Sequence, residues 1–290
     1  GHMTSSYGGQ GRMLGAGLNI NDLNEEGRQK ALASLKEGID EAYEMGVEDF
    51  AFLAGRYEEE TKEESFQALL KSTRELCEYA KSKGIQVFNA PGLNANAVAE
   101  LTFSKMLDIS RGTFVANYDV KVKHEWNKYK FEGRELRGKT LGVMGFGRIG
   151  KRVGELGRAF GMTVVAYDPF LKPEDFEKEH ATGMSVDEML KVADFVSIHV
   201  PLTPETKDLF NAKSIAEMKD DAVVLNMSRG GIVNEKDMYE ALKAGKIGGY
   251  AADVMENELA GSGLTGDDTF ASPLFECDNF IVSPHIGAQS

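Results

Sequence analysis

The stretch from Thr140 to Asp168 constrains this chain more than any other. It reads Thr140-Leu141-Gly142-Val143-Met144-Gly145-Phe146-Gly147-Arg148-Ile149-Gly150, then a helical stretch to Phe160, then Thr163-Val164-Val165-Ala166-Tyr167-Asp168. An apolar run feeds a glycine turn, the turn opens a helix, and a second apolar run ends on a carboxylate. In such a pattern Gly145 permits the tight turn, Gly147 lets backbone approach a pyrophosphate, and Gly150 lets the helix pack close to the strand. Unpaired N–H groups and the helix dipole favour negative charge at that end. Asp168 lies eighteen residues past Gly150, where the ribose 2′-OH of a dinucleotide is expected. A carboxylate accepts from both ribose hydroxyls and repels a 2′-phosphate. Pro169 and Phe170 follow it, with no Arg to receive that phosphate, so NAD is expected over NADP.

The remaining pattern is strand and helix in alternation. At 290 residues the length suggests two domains, read here as a lobe over 4–90 and a dinucleotide-binding domain over 91–290. Residues 4–13 are rich in Ser, Gly and Gln. Met13 to Ile20 reads as a strand, Glu25 to Met45 as a helix with Ala31, Leu32, Leu35, Ile39, Ala42 and Tyr43 at helical spacing, and Val47 to Ala54 as a strand. Thr61 to Lys83 reads as a second helix with Phe66, Leu69, Leu70, Leu76 and Tyr79 inward, and Ile85 to Phe88 as a third strand. Together these make a βαβαβ lobe. A helix over Leu93 to Arg111 and a basic connector from His124 to Arg137 lead to the glycine fingerprint. A polar stretch follows Asp168, then helix 186–192, strand 195–200, helix 212–218, strand 222–227, helix 235–244, strand 250–254 and strand 280–283. This order predicts an α/β fold with a doubly wound parallel sheet of the Rossmann type.

Composition narrows the partners. A net charge of −13 without a basic block argues against nucleic acid. No apolar run is long enough to span a bilayer, and no secretory leader is read at the start. Gly1-His2-Met3 reads as an expression scar. Cys77 and Cys277, the two cysteines, fit a reducing cytoplasm and cannot by themselves make a zinc site. No metal site is expected.

Ligands of such sheets bind beyond the carboxyl ends of the strands. Arg229 follows Leu225-Asn226-Met227-Ser228. Asp253 ends the next strand, with Glu258 five residues on, and His285 follows Ser283-Pro284. An Arg can grip a carboxylate through two N–H bonds. A His can give a proton to a carbonyl oxygen as hydride reaches the carbon. A Glu can bond the other ring nitrogen, fixing the tautomer and favouring the protonated ring. Asp253 reads either as a loop cap or as a contact near a nicotinamide. His199, beside Pro201, reads as a wall of the cofactor pocket, and His124 and His180 as surface residues.

From about Ile85 onward the chain resembles the D-2-hydroxyacid dehydrogenase family, most closely its D-3-phosphoglycerate dehydrogenase branch. The matching stretches are Val87 to Gly92 with Asn94, Ala95 and Val98-Ala99-Glu100; Gly133 to Thr140; the fingerprint; His199 to Thr203; Asn226 to Gly231; Asp253 to Glu258; and Ser283 to Ala288. The resemblance implies Arg229 as the substrate-binding catalytic residue, Glu258 as partner of the histidine, and His285 as acid/base. It implies NAD contacts at Gly145, Gly147, Arg148, Ile149, Gly150, Asp168, Met227, Ser228, Arg229, Asp253, His285, Gly287 and Ala288, with His199, Val200, Pro201 and Thr206 lining the same pocket. It also implies a homodimer built partly on the helix at 93–111.

The first third departs from that family. Nothing before Ile85 matches the glycine-rich carboxylate loop of its substrate lobe, and the family's helix after the histidine motif is absent, since the chain stops at Ser290. Gly11 to Gly84 instead resembles part of a sugar-phosphate isomerase/epimerase (β/α) barrel, in Leu14 to Asn19, Ala42 to Gly46, Phe52 to Gly55 and Ser72 to Lys81. The metal-binding Glu of such barrels has no counterpart. The two resemblances imply a fusion, engineered or natural, joined at Gly84 to Phe88. Three functions follow: hydride transfer between NAD and a small 2-hydroxy or 2-oxo acid such as 3-phosphoglycerate; a chimeric cofactor-binding scaffold without turnover; and, ranked last, a sugar-phosphate isomerase.

Overall fold

A computed structural model describes residues 19–46, 49–50, 52, 61–87, 94–258 and 270–288. The chain divides into two compact units, Gly1–Pro91 and Gly92–Ser290.

In the first unit, α1 (Glu25–Glu44) and α2 (Lys62–Ser82) pack on a two-stranded parallel sheet of β1 (Asp49–Phe50) and β2 (Gln86–Val87). Asn24 starts α1, accepting from the N–H groups of Glu26 and Gly27, which satisfies donors that have no partner inside the helix. Ile20, Ala31, Leu32, Leu35, Ile39, Phe50, Leu76, Ala80 and Ile85 form its core. Two expected core residues face outward instead: Tyr43 is 57% exposed and Phe66 is 49% exposed. The buried face of α2 is Ser65, Ala68, Ser72, Leu76 and Ala80; Leu76 is buried and Leu69 and Tyr79 pack against the core as expected, while small residues fill the rest of the stripe. Ser72 Oγ lies on it because it donates to the Ile20 carbonyl at 2.6 Å. Ile20 itself lies in a turn, not a strand. Residues 13–18 of the expected 13–20 strand and much of the 47–54 strand lie outside the described residues.

The second unit begins with α3 (Ala95–Arg111) and α4 (Thr113–Val122). Seven parallel strands follow: β3 (Thr140–Met144), β4 (Thr163–Tyr167), β5 (Thr182–Gly183), β6 (Phe195–Ile198), β7 (Ala222–Asn226), β8 (Ile247–Ala252) and β9 (Phe280–Val282), in the order β5-β4-β3-β6-β7-β8-β9. Helices α5 (Arg148–Ala159), α6 (Pro173–Lys178), α7 (Val186–Val192), α8 (Ala212–Glu217) and α9 (Glu235–Lys243) connect them. Period-two alternation sorts the strand side chains between two cores. On β7, Ala222 and Val224 enter one, and Val223 and Leu225 the other. The expected doubly wound sheet is therefore present.

Three details differ from the sequence reading. α4 occupies residues assigned to no element. The polar stretch after Asp168 holds α6 and β5, with Pro173 in the first turn of α6 and Phe176 buried. Strand β6 stops at Ile198 and β8 starts at Ile247, three residues earlier than read.

Candidate active site

Strand order reverses between β3 and β6, and such a switch point leaves a crevice at the carboxyl ends of the strands. The fingerprint turn fills one lip of it. Gly145 has φ +88°, and a Cβ there would stand 2.8 Å from the backbone of His199. A Cβ on Gly150 would stand 2.0 Å from the Gly145 carbonyl oxygen, so α5 can lie this close to β3 only without a side chain. Gly147 is the contrast: nothing lies within 4 Å of its would-be Cβ. Its bareness is not required by the protein's own packing, and it leaves backbone open at the start of α5, where the first N–H groups of a helix lack partners. Two glycines shape the turn and the third leaves room for a phosphate group.

Asp168, at the end of β4, is tied into that turn. Its Oδ2 accepts from the Phe146 N–H at 2.9 Å and its Oδ1 from the Phe170 N–H at 3.0 Å. The carboxylate is thus aimed before any ligand arrives, and its remaining lone pairs suit two ribose hydroxyls. Across the crevice, His199 Nε2 bonds Ser197 Oγ at 2.7 Å, while its Nδ1 is buried with no partner among the described residues. Burial pushes this ring down to about 3, so it is neutral at physiological pH. Thr206 Oγ1 donates to the Pro201 carbonyl at 2.6 Å and accepts from the Thr203 N–H, which closes the loop after β6. Ser228 Oγ donates to the Val200 carbonyl, so the ends of β6 and β7 are joined at the crevice floor, with Met227 buried beside it.

The chemistry-bearing residues stand at the ends of β7, β8 and β9. His285 Nδ1 is 3.2 Å from both carboxylate oxygens of Glu258, although 27 residues separate them. His285 has φ +54°, in the left-handed region. Asp253 holds it there: Oδ1 accepts from Ser283 Oγ at 2.5 Å and the Ile286 N–H at 3.0 Å, and Oδ2 from the Gly287 N–H at 2.8 Å. Asp253 is 2% exposed, and these bonds make it a cap of this loop. Arg229 is exposed and donates to the Ser228 carbonyl at 2.7 Å. Asn226 shapes its turn, accepting from the Ser228 N–H and donating to the Arg229 carbonyl. His124 and His180 are both exposed. Sequence reading missed Asn226 and Ser283 as loop builders, though both lie inside motifs it quoted.

The motif set is matched by known proteins. A family model described as D-isomer specific 2-hydroxyacid dehydrogenase, NAD binding domain, matches residues 103–287. The chain belongs to this family. A D-3-phosphoglycerate dehydrogenase of Methanocaldococcus jannaschii is 43% identical over 219 residues, covering 73% of this chain and 39% of that protein. A hydroxypyruvate reductase of Thermotoga maritima is 41% identical over 212 residues, covering 73% of this chain and 66% of that protein. The chain thus spans about two fifths of the first relative's length and about two thirds of the second's. Among solved structures, a D-lactate dehydrogenase from Aquifex aeolicus complexed with NAD and lactic acid is 32% identical, with a TM-score of 0.64 over 87% of this chain and 79% of that one. A second model, xylose isomerase-like TIM barrel, matches residues 3–112. This barrel likeness continues past the expected join at Gly84 to Phe88 and overlaps the dehydrogenase match inside α3. The dehydrogenase family's NAD-binding domain is therefore preceded by barrel-like sequence. Among the described residues, no helix is long and apolar enough to cross a membrane.

Proposed function

We propose that this chain transfers hydride between NAD and a small 2-oxo or 2-hydroxy acid, with 3-phosphoglycerate-like acids among the candidates. The observation that carries the reading is the His285–Glu258 pair, both oxygens at 3.2 Å from Nδ1, at the carboxyl edge of the sheet. Bound NADH supplies the hydride that reduces the carbonyl carbon. Glu258 holds the His285 ring through Nδ1, leaving Nε2 to deliver a proton to the carbonyl oxygen. Arg229 grips the substrate carboxylate. The cradle of Gly145, Gly147, Arg148, Ile149 and Gly150 takes the pyrophosphate, and Asp168 takes the adenosine ribose. Met227 to Arg229, Asp253 and His285 to Ala288 would hold the nicotinamide end, and His199 to Pro201 with Thr206 would line the same pocket. In the reverse direction His285 accepts the proton.

The first unit favours a second reading, cofactor binding without turnover. Its sequence matches a barrel model and lacks the carboxylate loop expected of a substrate lobe. A lobe must close over substrate and exclude water, and misplacement by about an ångström costs on the order of a hundredfold. NADH oxidation against a panel of 2-oxo acids separates the two. His285→Ala should lower kcat by about 10²–10⁴ and weaken NADH binding far less than it lowers turnover. NADH binding with no turnover on any acid would establish the scaffold, and absence of NADH binding would refute both.

Two further readings belong with this proposal. A homodimer is supported by apolar side chains left in solvent along the start of the second unit: Phe114, Tyr118 and Val122 on α4, then Trp126 and Tyr129, the last two more than 80% exposed. Isolated exposed apolar residues are ordinary, whereas a cluster marks an interaction surface. The helix at 93–111 points much of its own apolar face, Val98, Phe103 and Met106, into the sheet core, so α4 and the stretch after it carry this surface. Free Cys77 and Cys277 support a reducing compartment, the cytoplasm.

A further inference from the structure

Glu235 opens α9, but its side chain reaches well beyond that helix. Its Oε1 accepts the Glu256 N–H at 2.8 Å, and its Oε2 accepts Ser272 Oγ at 3.3 Å. The Glu256 carboxylate returns the contact, meeting the Glu235 N–H at 3.4 Å. Glu256 lies two residues before Glu258. The same peptide also abuts the Arg229 turn: a Cβ on Gly230 would stand 2.2 Å from the Met255 carbonyl oxygen and 2.8 Å from the Glu256 nitrogen. One side chain therefore holds the backbone at which the Arg229 turn and the Glu258 loop meet. The position is electrostatically poor for a carboxylate. Burial, and then the nearby Glu256 charge, push the Glu235 carboxyl above its ordinary range against the pull of the Glu256 N–H, and the buried Tyr250 phenol lies close to both glutamates. A residue serving only as a helix-start charge gains nothing from such company.

We propose that Glu235 is a positioning residue of the active site, which through the Glu256 N–H holds Glu258 against His285 and keeps the Arg229 turn in register with that pair. The inference rests on the His285–Glu258 pair proposed above. Reach, more than charge, is what it requires. Glu235→Asp keeps the charge at the start of α9 but is one methylene too short for Glu256, whereas Glu235→Gln keeps the acceptor. Two readouts on the full chain test this without turnover: hydrogen exchange of the Glu256 amide, and the tautomer of His285 read from its ring nitrogen shifts in alkaline buffer. Glu235→Asp should speed exchange at Glu256 by about tenfold, the worth of one hydrogen bond. It should also move the His285 tautomer toward that of Glu258→Gln, with Glu235→Gln remaining near the parent. Unchanged exchange overturns the clamp. Faster exchange with an unmoved tautomer leaves a structural brace and overturns positioning. A tautomer that Glu258→Gln itself does not move refutes the underlying pair, and the inference falls with it.

Discussion

Asp168 illustrates how a side chain proposed to meet a ligand can already serve the fold. Its bonds to the Phe146 and Phe170 N–H groups fix it to the glycine turn, so the carboxylate is already oriented for the ribose it is proposed to bind. Asp168→Ala should weaken NADH binding by about 1.5–3 kcal/mol, the value of a charged hydrogen bond, read by fluorescence titration; unchanged affinity would remove Asp168 from the ribose. His199 makes a prediction of the opposite kind. Its ring is held at about 3 by burial, against roughly 6.5 in an unfolded chain. Between those values the unfolded state binds the extra proton, so stability is whole above about pH 6.5 and falls as pH drops through that window, by up to about 1.4 kcal/mol per unit. His199→Gln removes this titration, and its Tm should decline less between about pH 6.5 and 4.5 than the parent's. Equal declines would show that the ring is not what titrates.

Among the elements, those legible in the sequence were those with a buried apolar period. The fingerprint strand and helix were read almost to the residue, because β3 is buried along its length and α5 must be bare where it crosses the turn. The His285–Glu258 pair was legible through residue types at the strand ends and through motifs, since no local pattern spans 27 residues. α4 was not legible for a physical reason: it buries Asp119 and no apolar stripe. Asp119 pairs with Lys130 and Lys123, which hold its carboxyl below the ordinary range, so ion pairs rather than apolar periodicity mark this helix. α6 spans six residues, too few to show a period. Phe66 on α2 has the same lesson, for the small residues Ser65 and Ala68 that are buried there carry little hydropathy signal beside it. If the exposed aromatics of α4 and its sequel seat a second copy, Phe114→Glu with Trp126→Glu should convert a dimer to a monomer in light scattering at unchanged fold. A parent chain that is already monomeric would exclude the dimer.

At the scale of the whole molecule, two units with separate cores predict separate responses. Among the described residues, the first rests on one small cluster around Leu32, Leu35 and Leu76, the second on two larger ones flanking the sheet. A ligand stabilises only what it binds, by about 2.7 kcal/mol at a hundred times its Kd. Saturating NADH should therefore raise the calorimetric transition of the second unit and leave that of the first in place. Leu76→Ala, a fully buried site, should lower the first transition through a loss of about 2–5 kcal/mol. A single transition moved by both would show that the units unfold together.

The left-handed backbone of His285 has a consequence for any survey of substitutions there. Residues branched at the β-carbon resist that conformation, while asparagine and glycine accept it. Position 285 is thus filtered twice, once for shape and once for its ring. Asparagine passes the first filter and lacks the ring, so under the role proposed for His285 it should leave the loop intact and remove turnover. Valine fails both, and a library scored for folding and for turnover would place these two variants in different classes.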